Sequence, residues 1–495
     1  MSLTDSEMID NLLGRTGSNT KFEDQQLIYL NDQNQGSYTN PIKFNTLSWI
    51  DDWMAYPKAY VNVPLRAVGT GTHTAFGAAG LVTLASGVAT PDYSKVHVAF
   101  KNGIYSLVNS LNLKINGYTI QNSSDLHLMN NIKALCTWSK DYAESSGVLH
   151  HFAKDTTNDH DIAKNSGFET RCELMDYAVE ITQNGANNPC TLTVDFNVNI
   201  HLSVISDFFD QLGIPLKNAN IDLVMSLNGL DKGSGAGQDW DCLAVNDEVI
   251  AALGGKNMAL QVGNKWERVC KLYCPRVTFS ATDALELDKI LSGPEPLQKT
   301  IVWNDCMVVK NTQPADSENL NMVLSPSIRR PLQIWSQFQP KPSLNTSHMK
   351  DQTVPYPFIT HEGIKSHHVP ASSPNGVAIT NANLRVDSKK LYDENIDSQA
   401  QFYEMLRDQT LSGADDKQTG SLISYKDFHK FYQFYCFDLT RTAYKITDKP
   451  VALEFSAKKL NKNNLTELFH IIVCETVSVF NFVAGDVKVT SVGAQ

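Results

Sequence analysis

The chain has 495 residues and a mass of 54.9 kDa, about three times a typical ~150-residue domain, which excludes a single small module. Its 42% hydrophobic residues can fill large cores, and its 19% charged residues fall below the ~25% usual for soluble domains, so neither a disordered chain nor a coiled coil fits. The 53 acids against 42 Lys and Arg leave a net charge of -11, which would repel a polyphosphate backbone, so no direct nucleic-acid binding is expected.

The amino terminus places acids before any apolar stretch, and its second residue is Ser, so neither a secretory nor a myristoylation signal is read there. Met8, Ile9, Leu12 and Leu13 could make one apolar stripe of a short helix, with Gly14, Gly17 and Ser18 loosening it from the body. Strand patterns follow at Ala59 to Val63 and Lys95 to Phe100. Between them, the uncharged run from Ala67 to Pro91 is long enough to span a bilayer. Its five Gly and five Thr make it a poor helix, and it is read as a long excursion between strands. Leu111, Leu113 and Ile115 alternate with polar residues, then Asn116-Gly117 supplies the two positive-φ positions of a tight hairpin before Tyr118 to Gln121 return. From Thr191 to Leu202, Leu192, Val194, Phe196, Val198, Ile200 and Leu202 alternate with polar residues. This gives a half-buried strand with Asp195 on the opposite, more tolerant face. A short helix is expected over Ser203 to Leu212, and strands at Ile221 to Leu227 and Arg268 to Phe279. A connector helix is read from a carboxylate cap at Asp283 to the Gly293-Pro294 stop. The second half repeats the pattern: strands at Thr300 to Val309, Leu332 to Phe338, Val451 to Ala457 and Leu468 to Val489, the last with an internal turn, and a helix at Ser398 to Arg407.

Fixed offsets suggest a duplication. NLKING from Asn112 matches NLRVDS from Asn383 (383 − 112 = 271), and the strand from Ala59 matches that from Arg330 at the same offset (330 − 59 = 271). TVDF from Thr193 is paired with LEFS from Leu453 through Asp195 and Glu454, at 259 by those two acids (454 − 195). Two similar all-β units larger than a seven-strand sandwich result, and eight-stranded jelly rolls accommodate long insertions such as Val68 to Tyr93 and Pro340 to Asn375.

Catalytic and metal motifs are sparse. The glycines of Gly233 to Gln238 lack dinucleotide spacing, and Gly255-Lys256 lacks the phosphate-loop pattern. His361-Glu362 is followed by Lys365 where a zinc-protease helix needs His. Asp155 to Ser166 resembles a calcium loop but has His160 and Ser166 where Gly and Glu are required. No H-x-H pair exists, and the adjacent pairs His150-His151 and His367-His368 would point to opposite faces of an extended chain. Nine thinly spread cysteines, including Cys270 and Cys274, read as reduced and mostly buried thiols. The sequons at Asn122, Asn345 and Asn464 are read as bystanders in a chain matured in a reducing compartment. Catalytic, cofactor-binding and metal residues are therefore all expected to be none.

Six segments in order resemble the double jelly-roll major capsid proteins of the adenovirus and virophage lineage, closest to polinton-like viruses, over roughly Gln35 to Val489. They are YTNPIKFNTLSWIDDWMAYPKAYVNVPL, KNGIYSLVNSLNLKINGYTIQ, IHLSVISDFFDQLGIPLKNANIDLVMSLN, NMVLSPSIRRPLQIWSQF, FDLTRTAYKITDKPVALEF and LFHIIVCETVSVFNF. The resemblance implies an all-β fold of two tandem eight-stranded jelly-roll sandwiches with a few short helices. Its domains would be an arm (1–34), a first jelly roll (35–281), a connector helix (282–297) and a second jelly roll (298–495). It implies a non-enzymatic structural protein whose partners are itself, as a pseudohexagonal homotrimer in an icosahedral lattice, penton and other minor capsid proteins, and an internal membrane. The arm would face inward and the long loops outward, in a virion assembled in host cytoplasm or nucleus and not secreted. Low charge suits such contacts, because desolvating charge is costly, and Lys389-Lys390 and Lys458-Lys459 read as solvated faces. The alternative is a carbohydrate-binding or carbohydrate-active β-sandwich protein, in which Trp49, Trp53, Trp240 or Trp335 would stack on sugar and two carboxylates would converge.

Overall fold

The computed structural model describes residues 23–34, 36, 38, 41–85, 88–101, 103–156, 163–183, 189–228, 242–254, 258–291, 297–313, 317–340, 379–410, 422–430, 432, 434–440, 442, 449–459, 466–483 and 486–492. Its frame is sixteen strands in two sets of eight. The first set is β1 (Asp24–Asn31), β2 (Ile42–Asn45), β3 (Tyr60–Gly71), β4 (Val108–Ile115), β5 (Tyr118–Ser123), β6 (Cys190–His201), β7 (Ile221–Leu227) and β8 (Lys271–Thr278). The second is β9 (Leu297–Gln313), β10 (Asn319–Ile328), β11 (Pro331–Pro340), β12 (Ile379–Val386), β13 (Lys389–Lys390), β14 (Tyr435–Asp438), β15 (Val451–Lys459) and β16 (Thr466–Val483).

In the first set one sheet runs β1-β8-β3-β6 and the other β2-β7-β4-β5; the second set repeats this as β9-β16-β11-β14 and β10-β15-β12-β13. This is jelly-roll connectivity twice over: a long hairpin of strands folded back so that first pairs with eighth and second with seventh. Further strands broaden the sheets, with Tyr177–Gln183 on β6, Ala259–Val262 on β3 and Asp486–Val492 on β16.

Period-two burial builds each sandwich. On β3, Val61, Val63 and Leu65 are fully buried; on β6, Leu192, Val194, Phe196, Val198 and Ile200 point into the same core. Gly71 ends β3 where any Cβ would run into the Ala252 carbonyl oxygen and Phe76. The hairpin turn forms as read: Asn116 has φ 50 and Gly117 φ 82. Its counterpart 271 residues on (387 − 116) is Asp387-Ser388, φ 47 and 69, between β12 and β13. Positive φ is uncommon outside Gly, Asn and Asp, so the repeated turn marks the duplication in backbone geometry.

Several sequence expectations change. The region 1–34 is not all arm, because Asp24–Asn31 pairs along its whole length with Lys271–Thr278 and supplies the first strand. Exposed Asp24, Gln25 and Gln26 hide its pattern, and only Ile28 and Leu30 pack on the core. The third offset pair fails: Thr193 lies on the sixth strand of its roll and Leu453 on the seventh of the other, so a shared acid-Phe dipeptide aligned non-equivalent strands. The connector helix begins at Ala281, and its cap is Ser280, whose hydroxyl accepts from the Asp283 amide and donates to the Asp283 carboxylate. Leu126–Thr137 forms a helix that sequence did not reveal, since its His127, Asn130 and Asn131 break any apolar stripe yet are buried.

The two long connections of the first roll leave it at one end. Residues 72–107 connect β3 to β4 and 124–189 connect β5 to β6 at the same end, because each strand reverses the last. The pairing of Asp24 with Thr278 puts the start of β1 at the opposite end, with the Asn116-Gly117 turn.

Candidate functional site

Among the described residues no group of three or more His, Cys, Asp or Glu could hold a metal. A cleft of about 680 Å³ lies on the first roll and includes Lys58, Asn130, Trp138, Tyr142, His150 and Asp210 in its lining. Among the described residues that line it Asp210 is the one carboxylate, and glycoside hydrolysis uses two. Burial pushes the His150 imidazole down to about 4, with His201 and His151 adding to the effect. It is therefore neutral at pH 7.

The tryptophans weighed as sugar platforms are otherwise occupied. Trp49 and Trp335 are buried, and Trp53 packs edge-on against Phe279 at 5.2 Å. Trp240 lies outside the described residues, as do Gly233 to Gln238, Gly255-Lys256, His361-Glu362, His367-His368, Asn345 and Asn464. His150 and His151 do diverge: the first ring meets His201 at 5.5 Å and the second Phe100 at 6.2 Å. The nine cysteines are free thiols, eight of them buried, and Cys306 is half-buried. Lys389 and Lys390 are exposed, but Lys459 is buried, because strand alternation at the end of β15 turns it inward.

What the fold does build is an extensive junction between the rolls. Helix α1 (Leu126–Thr137) leaves β5 and lies on the outer face of the second roll's β9-β16-β11 sheet. Met129, Ile132 and Lys133 line an 80 Å³ gap there with Asn304, Trp335 and Val473. The short helix α2 (Asp207–Gln211) inserts Phe208 edge-on to Trp303 at 5.9 Å and parallel to Phe480 at 6.1 Å. Polar contacts frame these rings. Ser123 donates to Asp305 at 3.0 Å, Lys310 reaches Asp125 at 2.6 Å, and Asn116 donates to the Val487 carbonyl at 2.7 Å.

The excursion after β5 is tied in by a buried ion pair. Arg171 and Asp155 meet at 2.7 Å with both side chains fully buried, and Asn165 donates a further bond to the Asp155 carboxylate at 3.0 Å. Burial raises the Asp155 carboxyl to about 6, against the opposing pull of Arg171. The second roll closes over it: Tyr432 donates to the Asp155 carbonyl at 3.2 Å, and Lys154 pairs with Asp427 at 2.5 Å. Removing one member of such a pair is far costlier than the pair's net worth, so it fixes geometry more than it adds stability. The two rolls consequently share one continuous apolar core cluster.

The outer face of the first roll's sheet carries an aromatic row, one residue per strand. Tyr29, Tyr273, Tyr60 and His201 are direct cross-strand neighbours with ring separations of 5.6, 5.1 and 5.4 Å. Tyr29 is 55% and Leu27 51% exposed, and Lys271 sits over the Tyr29 ring at 5.2 Å. Sequence reasoning missed this row, whose members lie far apart in the chain and meet only in register. Trp266, 55% exposed beneath Lys265, was also missed; a lone aromatic in the polar run GNKWER is the signal that could have found it.

No protein-family model matches the chain, and no curated protein is significantly similar in sequence. Solved structures are similar in fold. A chain in the 3.5 Å cryo-EM structure of the Sputnik virophage matches with TM-score 0.56 at 12% identity, over 96% of this chain and 90% of that one. The quasi-atomic PBCV-1 virus capsid matches with TM-score 0.50 at 10% identity, over 96% of this chain and 98% of that one. The PBCV-1 crystal structure fitted into a Sputnik reconstruction gives TM-score 0.50 at 9% identity, over 96% and 98%. Near-complete coverage in both directions, with two eight-stranded rolls of identical connectivity, makes the fold of this chain the double jelly roll of those viral capsid chains.

Proposed function

We propose that this protein is the major building block of an icosahedral viral shell, assembling as a homotrimer whose three double rolls form a six-sided tile. The carrying observation is the repetition of one jelly roll within a single chain whose two rolls share one apolar core cluster. Three such chains give six nearly equivalent flanks, which is what a threefold molecule needs to fill a hexagonal lattice. The fold likeness to the Sputnik and PBCV-1 chains supports this reading. In the shell, the end bearing the long excursions would face outward, and the end where β1 begins would face inward toward minor capsid proteins or a membrane. Light scattering on purified protein tests the first step: about three times 54.9 kDa is expected, with regular particles by negative stain. A stable monomer at micromolar concentration that binds glycans would overturn the reading in favour of a carbohydrate-binding protein.

A further inference from the structure

Residues 139–152 border the cleft of the first roll: Tyr142, Ser146, Leu149 and His150 line it together with His201 and Val204 from the end of β6 and the turn after it. The backbone hydrogen bonds of this segment run within it. Ser146 donates to the Tyr142 carbonyl at 2.9 Å, Leu149 to that of Ser146 at 3.2 Å, His151 to that of Val148 at 3.0 Å and Phe152 to that of Gly147 at 3.3 Å. Both ends are anchored. Trp138 packs edge-on against Tyr105 at 5.8 Å before the segment, and after it Arg171 donates to the Ala153 carbonyl and Lys154 pairs with Asp427. Between these anchors side chains make the contacts with the roll, and Leu149 is left 71% exposed. A stretch that keeps its own backbone bonds can open locally while the sheets stay closed.

Histidines hold the segment down. The buried His150 ring meets His201 at 5.5 Å and Trp138 at 6.2 Å, and its Nδ1 has no hydrogen-bond partner. His151 turns the chain at φ 52, uncommon outside glycine, and packs on Phe100 at 6.2 Å with its Nδ1 likewise unpartnered. The charges around them nearly balance. Lys58 and Asp210 line the cleft with opposite signs, Lys133 in the same lining is paired with Asp207, and Asp176 acts on His151. Burial keeps Tyr105 and Tyr142 protonated. Burial also holds His150 neutral down to about 4 and lowers His151 and His201. Protons on both facing rings would repel each other.

We propose that residues 139–152 are an acid-released clasp, in which protonation of His150 against His201 lifts the segment from the end of the first roll and opens the cleft. Rings that are neutral when clasped and take up protons when exposed to water make acid favour the open form and neutral pH the closed one. From an exposed value near 6.5 and a clasped value of about 4, His150 alone favours opening roughly twentyfold more at pH 5 than at pH 7. His201 acts in the same direction, whereas Asp176 moderates the response of His151. A shell of this protein would then be closed at neutral pH and loosened in an acidic compartment. That consequence rests on the proposed shell; the clasp itself does not.

The test is hydrogen–deuterium exchange of the full-length protein at pH 7 and pH 5, read by mass spectrometry and corrected for intrinsic exchange rates. Peptides within residues 139–152 should lose roughly twentyfold in protection at pH 5 while β6 and β16 keep theirs. His150→Gln and His150→Phe should each reduce that loss to a few-fold at most, and Phe retains a neutral ring against Trp138 where Gln disturbs the packing. Unchanged protection of the segment at pH 5, an equal loss in β16, or a loss that stays roughly twentyfold in both variants would overturn the clasp. The readout is independent of assembly: a chain that is monomeric by light scattering refutes the shell, and the exchange pattern alone decides the clasp.

Discussion

Two neighbouring substitutions on β6 separate the inner from the outer face of the first roll. Phe196 is 1% exposed and meets Phe100 edge-to-face at 5.7 Å. Phe196→Asp forfeits ring burial, about 3–5 kcal/mol for removal of a core aromatic, and places a carboxylate without a partner in the core at a further cost of several kcal/mol. Against a typical total stability of about 5–15 kcal/mol, the first roll should not fold. Asp195 faces the other way, yet it is only 2% exposed and receives two bonds from Arg66, at 2.7 and 3.0 Å. It is a covered position, not the open one its place in the alternation implied. Because Arg66 is 34% exposed, water can solvate the guanidinium once the carboxylate is gone. Asp195→Ala should therefore cost about 1–2 kcal/mol, below the ~3–5 kcal/mol of breaking a fully buried pair. Soluble yield and urea unfolding of both variants are the assay. If Asp195→Ala equalled or exceeded Phe196→Asp in damage, the strand register and the burial argument would both fail.

Gly117→Ala should lose about 1 kcal/mol in urea unfolding: a Cβ there meets nothing, so the cost is purely that of φ 82 in an L-residue. Lowering the pH should weaken the fold between about 6.5 and 4. His150 is held neutral down to about 4, so the unfolded chain binds more protons in that window and stability rises with pH through it. Urea unfolding should show His150 alone contributing a loss on the order of 3 kcal/mol by pH 4, so that the His150→Gln profile is shallower by that share, while the neutral buried His127 and His470 add to the loss and buried Asp155 opposes it; an unchanged profile in the variant would rule out this histidine as a cause. Thiol titration should find nine groups in denaturant and few in the native protein, and slow native labelling confined to Cys306 would agree with the burial pattern. Deleting Ser2 to Lys21, ahead of β1, should preserve trimers and abolish regular particles; loss of trimers would mean that these residues belong to the first roll.

The alternation of Leu192 to Ile200, the Asn116-Gly117 turn and the 271-residue offset were legible in the chain, because side-chain period and turn chemistry are local and act over two to four residues. They suffice for strands, a hairpin and a duplication, hence for two similar all-β units. Strand partners were not legible. The first strand, Asp24–Asn31, pairs with residues about 250 positions away, and only that pairing separates it from an arm. The cover over Asp195, the burial of Lys459 and the burial of the polar residues in α1 likewise come from segments distant in sequence. Period-two patterning specifies which side of a strand is apolar, whereas what lies over the other side depends on how two sheets and two rolls are brought together. The aromatic row from Tyr29 to His201 shows this directly: four residues on four strands, each unremarkable alone, become one surface only when antiparallel register sets them side by side.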